Sequence, residues 1–488
     1  MEKQVIVLAV AMLACFNCAV AQQPELKNTG EKDKLFINTE LNNRFNEMRQ
    51  VARSIWGYAE LGFLEEKSTA LLQNVLQKEG FRIEKGVAGM PTAFVASYGS
   101  GKPVIGILAE FDALPGLSQD SVPHVQPLKT GGGGHGCGHN LFGSASASAA
   151  IALKEWLVKN KREGTVRLLG TPAEEGGSAK VYMVREGLFD DVDAVLHWHP
   201  SSENQASPES CLAIMQATFR FYGRSAHSAA APHVGRSALD GVESMNYMVN
   251  LMREHIPQES RIHYVISKGG LAPNVVPDYA EVEYMVRHPD ARTVQQLFDR
   301  IIRCAQGAAT GTETRMEVEI ISGSYNLLPN EPLARLMQKN LERVGGVKYT
   351  PEEMAFAQKI QATFTYAAPD LAEAAKVQPY QTGGFFPAST DVGDVSWVVP
   401  TVGLGVATWV PGTVAHSWQA VACDGMSIGF KGMLNASKVM AMTGVDLFNN
   451  PAMLEKAKAE LNRLRGNDFT YKALLGDRKP SLDYRKGR

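Results

Sequence analysis

Apolar residues recur at helical spacing over Leu41–Val51 and again over Ser68–Gln77 (STALLQNVLQ), which predicts two amphipathic helices. The spacing then changes. Val104–Ala109 (VIGILA) is a short unbroken apolar run, the signature of a strand buried on both faces. Ser144–Lys159 (SASASAAIALKEWLVK) reads as a helix whose small first turns allow close packing. Val166–Gly170 (VRLLG) and Ala194–Leu196 repeat the buried-strand pattern. Strands separated by helices predict an α/β domain around a central, mostly parallel sheet with helical crossovers.

Between about Leu212 and Ile321 the pattern becomes one-sided. Ala217–Tyr222 and Glu281–Arg287 (EVEYMVR) alternate polar and apolar, as antiparallel strands with one wet face do. Helical patterns at Ser237–Arg253 and Thr293–Ala308 complete a β-α-β-α order, expected to form a small α+β lid. After Pro329 helices and an apolar strand, Val402–Val406, return. The expected organisation is a catalytic domain in two parts, 22–211 and 327–488, interrupted by an inserted lid at 212–326. The charged tail after Asp477 is expected to be loosely ordered.

A length of 488 residues fits two domains better than one. The net charge of -2, with no basic block, gives no basis for nucleic-acid or anionic-membrane binding. Residues 5–14 (VIVLAVAMLA) have the length of a signal-peptide core, and Ala19-Val20-Ala21 supplies a small-x-small cleavage pattern. Export to the periplasm with residues 1–21 removed is therefore expected. A lipid-anchored alternative would use Cys15. No later run is long enough for stable membrane insertion. Of the six cysteines two leave with the signal peptide, the remaining four are too scattered for a disulfide framework, and only Cys137 sits among other candidate ligands.

That cysteine lies in Thr130–Asn140, TGGGGHGCGHN. Thiolate and imidazole suit borderline-soft divalent ions, and the flanking glycines let Cys137 and His139 face one ion. By itself CGH also fits a buried cysteine at a helix start. Gly170–Gly177 (GTPAEEGG) puts Glu174 and Glu175 after a buried strand, where open α/β sheets carry their sites. Alone, the pair also fits an acidic helix N-terminus. Leu196–Pro200 (LHWHP) adds His197 and His199 at the end of another strand, and Ala415-His416-Ser417 adds a late histidine. The glycine run lacks the GxxxxGK[ST] spacing of a phosphate loop.

GHGCGHN, GTPAEEGG, WHP, GRSAHS, NVVP and STDVGDVSW, in that order, resemble the M20 metallopeptidases and amidohydrolases over nearly the whole mature chain. The resemblance is strongest to the branch of the p-aminobenzoyl-glutamate hydrolase B-subunit type. It implies a zinc-exopeptidase-like catalytic domain with a lid, and amide hydrolysis with one or two divalent ions, manganese or zinc. It implies Cys137, His139, Glu175, His199 and His416 as metal ligands, with His197 the alternative to His199. Glu174 matches the general base and Asp112 the aspartate that orients a ligand. Glu110 stands where more distant peptidases carry a metal-binding histidine, and Asn140 replaces the aspartate of CGHD. His135 is expected to be structural.

In the lid, His227 matches an oxyanion-stabilising histidine, Asn274 an asparagine near the substrate carbonyl, and Arg287 an arginine pairing with the substrate carboxylate. The bland reading of Arg287 is a strand residue paired with Glu281 or Glu283. The implied substrate is an N-acyl amino acid or dipeptide-like molecule resembling p-aminobenzoyl-glutamate. Two rivals are a metal aminopeptidase or deacetylase of the same fold, and a non-catalytic peptide-binding partner. A homodimer, or pairing with a homologous chain through the lid, is also implied.

Overall fold

The computed structural model describes residues 3–486, with side chains from residue 30 onward. The expected signal peptide, with Cys15, lies outside the residues whose side chains are described. No described helix is long and apolar enough to cross a membrane.

The central sheet is built from β1 (Arg82–Lys85), β2 (Phe94–Ser100), β3 (Val104–Ala109), β4 (Gly164–Gly170), β5 (Ala194–Leu196) and the late pair Thr401–Val402. Its order is β1-β2-β4-β3-β5-Thr401–Val402. The first two pairings are antiparallel, and those from β4 across β3 and β5 to Thr401–Val402 are parallel. All six residues of β3 are buried, because helices cover both faces. The helices named below are α1 (Lys3–Tyr58), α2 (Glu66–Lys78), α3 (His139–Asn160) and α4 (Ala179–Arg185). The parallel step from β3 to β4 is made through α3, as a parallel pairing requires. Small residues on α3 admit the helix Ser427–Asn449 so closely that Ser437 Oγ donates to the Ala145 carbonyl at 3.2 Å.

The expected strand Val402–Val406 is two strands. Thr401–Val402 extends the main sheet, whereas Gly405–Ala407 pairs in parallel with His199–Ser201. Between them Gly403 lies against the His197 ring, where a Cβ would sit 2.2 Å from Cε1. The partner strand breaks at the same level, between Leu196 and His199, and the late segment follows it.

The lid has four antiparallel strands, ordered Arg315–Ser324, Ala213–Tyr222, Tyr279–His288, Arg261–Lys268, under helices α5 (Ala238–Met252) and α6 (Ala291–Gly311). Its order is thus β-α-β-β-α-β, which corrects the expected β-α-β-α. The two unforeseen strands are the sheet's edges. Arg261–Lys268 buries only Ile262, so it carries no alternating burial for a sequence pattern to reveal. Inward residues Ala280, Val282, Tyr284 and Val286 meet Val242, Met245 and Val249 of α5 and Val294, Phe298 and Ile301 of α6, forming a core separate from the main one. Helix starts are fixed by capping: Ser237 accepts from Asp240 N, and Asp290 from Thr293 N.

The tail after Asp477 is also corrected. Its described residues, 478–486, are ordered and pack Tyr484 edge-on against Phe63 at 5.7 Å between ring centres.

Candidate metal centre

The glycines around Cys137 are required by close approach. Gly138 has φ +69°, and a Cβ there would lie 2.6 Å from Pro200 Cγ. A Cβ at Gly136 would meet Leu117 Cδ1 at 2.7 Å, and the Gly136 carbonyl accepts from His416 N at 2.8 Å. Cys137 is thereby held between the His416 loop and the start of the strand His199–Ser201. Its Sγ is 3.6 Å from His199 Nε2 and 3.5 Å from His416 Nε2, and His416 Nε2 is 3.0 Å from Glu175 Oε1. His416 itself is left-handed at φ +60°, a conformation non-glycine residues hold only where their surroundings impose it.

Three overlapping groups have ligand atoms within 4.8 Å of one another: Cys137–His139–His199, Cys137–Glu175–His416 and Glu110–His139–Glu174. The partners of the histidine Nδ1 atoms fit metal binding. His139 Nδ1 is 2.9 Å from Asp112 Oδ1, and His199 Nδ1 is 2.7 Å from the Pro200 carbonyl. A proton held on each Nδ1 leaves the Nε2 lone pairs for an ion. Buried His139 Nε2 and Glu110 Oε2 lie 3.1 Å apart, yet neither is hydrogen-bonded. This donor set of thiolate, imidazole and carboxylate suits a divalent cation. His197 is not part of the cluster; it sits against Gly403, and burial followed by the Lys180 charge lowers its pKa to about 3. His135 is also outside it, its Nε2 3.1 Å from the Ile55 carbonyl.

Asp112 ties two parts of the site together. Its second oxygen, Oδ2, accepts from Glu175 N at 2.9 Å. The loop it holds has an uncommon shape, with φ +55° at both Ala173 and Ser178. Burial pushes the Glu174 carboxyl well above its ordinary range, assisted by the Glu110 and Glu175 carboxylates. Burial also opposes ionisation of Glu175, but His416 and His139 outweigh it and its pKa falls.

Sequence reasoning missed a buried charge triad behind this loop. Lys180, fully buried on α4, reaches Glu110 Oε1 at 2.7 Å and Asp391 Oδ1 at 2.6 Å. Its backbone N–H donates to Asp391 Oδ2 at 3.0 Å. The available signals were a lysine in an otherwise apolar helix start, SAKVYMV, and an aspartate inside STDVGDVSW. Glu65 was missed as well: fully buried, it accepts from Ala173 N at 2.8 Å and from Thr92 Oγ1 at 2.9 Å.

Among the described residues, no hydrogen bond or ion pair joins the three lid residues to the cluster. His227 is exposed in the turn after Tyr222, its Nδ1 accepting from Ala229 N at 3.2 Å and Ala230 N at 3.1 Å. Asn274 is exposed in the loop before Tyr279–His288. Arg287 makes no ion pair among the described residues, neither with Glu281, which Arg220 holds at 3.1 Å, nor with Glu283, and Arg287 Nε is buried without a partner.

The profile of Peptidase family M20/M25/M40 matches residues 106–420. The chain belongs to this family. It is 43% identical over 437 residues to the B-type chain of p-aminobenzoyl-glutamate hydrolase from Escherichia coli (strain K12), covering 84% of this chain and 91% of the relative. It is 29% identical to the Xaa-Arg dipeptidase of Mus musculus, covering 84% of this chain and 88% of the relative. Its fold matches a dinuclear metal-binding M20 peptidase of Bacillus subtilis with a TM-score of 0.58 at 18% identity, covering 84% of this chain and 99% of the other. As an M20 protein, the chain is a metal-dependent hydrolase of amide bonds in N-acyl amino acids or dipeptide-like molecules.

Proposed function

We propose that the protein removes the acyl group from an N-acylated amino acid of the p-aminobenzoyl-glutamate kind, using manganese or zinc. The observation that carries this reading is the convergence of Cys137, His139, Glu175, His199 and His416 beside a half-buried Glu174 that lies within reach of the same cluster. Divalent ions held by these residues supply Lewis acidity toward the scissile carbonyl and make the attacking water more acidic. Glu174 takes the proton of that water and returns it to the leaving amine. Its raised pKa suits an acid–base residue that must carry a proton between the two steps. Asp112 fixes the His139 ring and the Glu175 backbone.

In this reading His227 and Asn274 move onto the reacting carbonyl as the lid closes, and His227 steadies the oxyanion. Arg287, without an ion pair among the described residues, takes the substrate carboxylate in its planar fork. The name of the E. coli relative favours glutamate as the released amino acid, and that of the mouse relative favours arginine. A panel of N-acyl amino acids and dipeptides ending in either residue, followed by mass spectrometry, separates the two.

The lid also pairs with a second copy or a homologous chain. Supporting this, its edge strand exposes Tyr264, Val265 and Ile266, and α5 exposes Tyr247, Met248 and Leu251. Export to the periplasm rests on the apolar segment 5–14 and the Ala19-Val20-Ala21 pattern. The deciding experiment for the chemistry is Glu174→Gln. Turnover should fall roughly 10²–10⁴-fold with metal content unchanged; wild-type turnover in a folded, metal-loaded variant would remove Glu174 from its role.

A further inference from the structure

The Glu174–Glu175 loop closes on itself through Gly176 N to the Glu174 carbonyl at 2.7 Å and through Gly177 N and Ser178 N to the Ala173 carbonyl at 2.9 Å, but none of these bonds holds the Glu175 carbonyl. Ala173 and Ser178 bracket it in left-handed conformations, and external groups fasten it at two points already described, Glu65 on Ala173 N and Asp112 on Glu175 N. A third fastening comes from the far end of the chain. Tyr484 Oη donates to the Glu175 carbonyl at 3.0 Å, and Arg485 Nη2 donates to the same oxygen at 2.7 Å.

These two donors are built into the fold. The Arg485 guanidinium carbon lies 4.9 Å from the centre of the Tyr484 ring, so the pair forms one stacked unit. Phe63 packs edge-on against that ring. Gly62 leaves the space the phenol occupies: a Cβ there would sit 2.1 Å from Tyr484 Oη and 2.9 Å from Ala173 Cβ. One glycine thus admits both the tail and the loop it fastens.

We propose that Tyr484 and Arg485 are positioning residues for amide hydrolysis, acting through the Glu175 carbonyl to fix the proton-transfer carboxylate Glu174 and the ligand carboxylate Glu175. This rests on the roles given to Glu174 and Glu175 above. Two donors on one carbonyl make a specific prediction. Losing either leaves the oxygen bonded; losing both leaves a half-buried carbonyl unheld, with only Glu65, Asp112 and the loop's own turn bonds to keep the two carboxylates in place. A displacement near 1 Å at a reacting group costs about 10²-fold in rate.

The test is a cycle in the full chain: Tyr484→Phe, Arg485→Ala and the double variant, with Arg485→Lys as the conservative control. Turnover and KM are measured at saturating Mn²⁺, Mn²⁺ affinity by calorimetry, and thermal midpoint by fluorescence. Each single variant is expected to lose about 2–5-fold in kcat with KM unchanged. The double should lose roughly 100-fold, more than the product of the singles, with about tenfold weaker Mn²⁺ binding. Arg485→Lys should recover most of the single loss. The inference is overturned if the double variant keeps kcat and Mn²⁺ affinity within twofold of the parent. It is equally overturned if its losses only multiply, or follow a fall in thermal midpoint shared by Phe63→Leu, which loosens the packing and keeps both donors. Tyr484→Phe keeps the ring and its packing, so folding is preserved in at least that arm. Failure of Glu174→Gln to slow turnover would remove the base assignment, whereas the Mn²⁺ arm here reads Glu175 independently.

Discussion

Replacing Lys180 by methionine tests the charge triad behind the metal centre. Lys180 Nζ is 2.7 Å from Glu110 and 2.6 Å from Asp391, and all three groups are buried. At an effective dielectric near 20, each contact has a gross attraction of roughly 6 kcal/mol, most of it offset by desolvation of the charges. Methionine fills similar space but leaves two interior carboxylates without a cation. The expected net loss is about 3–5 kcal/mol, a large part of the ~5–15 kcal/mol typical of a domain. Guanidinium denaturation of the metal-free protein, followed by tryptophan fluorescence, reads that loss. Adding Asp391→Asn to Lys180→Met removes one of the stranded charges and should recover about 2 kcal/mol. If Asp391→Asn instead adds its own full loss in the Lys180→Met background, the three groups are not coupled through charge and the reasoning fails. Activity supplies a second readout. The Lys180 charge lowers the Glu174 pKa against burial and the neighbouring carboxylates. Its loss raises that pKa further, so the acid limb of the kcat/KM profile should move to higher pH, since a base must be ionised to act.

The remaining predictions concern other parts of the molecule. His199→Ala should weaken metal binding by at least ~10–100-fold, measured by metal analysis after dialysis, whereas His197→Ala should keep its metal; the reverse result would move the ligand to His197. Burial raises the Asp394 pKa to about 7, against the opposing effect of bonds from Tyr471 Oη at 2.6 Å and Tyr325 N at 3.0 Å. The fold therefore favours protonated Asp394, and this contribution is complete below about pH 4 and lost as pH rises through about 7. It amounts to at most about 4 kcal/mol, so thermal midpoints of Asp394→Asn should fall less between pH 5 and 8 than those of the parent; parallel curves would contradict this. Finally, Val265→Asp with Ile266→Asp should convert a lid-paired assembly to single chains in sedimentation velocity. A parent protein that sediments as a single chain would refute the pairing.

The sequence was most legible where burial and chain direction coincide. β3 begins and ends where its apolar run does, because a strand covered on both faces has no polar residue to spare. The lid's two inner strands and both its helices were visible for a related reason: one face of each meets the lid core and the other is wetter. The edge strand Arg261–Lys268 was invisible because its neighbour supplies the hydrogen bonds while its side chains stay in solvent. Cys137, His139, Glu175, His199 and His416 could be picked out because each lies in a short motif whose glycine, proline or strand end shapes the local backbone.

Local pattern determined the α/β class, the inserted lid and the set of side chains able to hold a cation, since these follow from burial periodicity and from donor chemistry read over a few residues. Only the tertiary structure decided that His199 rather than His197 stands beside Cys137, that Lys180 neutralises Glu110 and Asp391, and that Tyr484 and Arg485 reach Glu175. Those contacts join residues scores to hundreds of positions apart. Their geometry is fixed by how helices and loops pack together, which no short window of sequence contains.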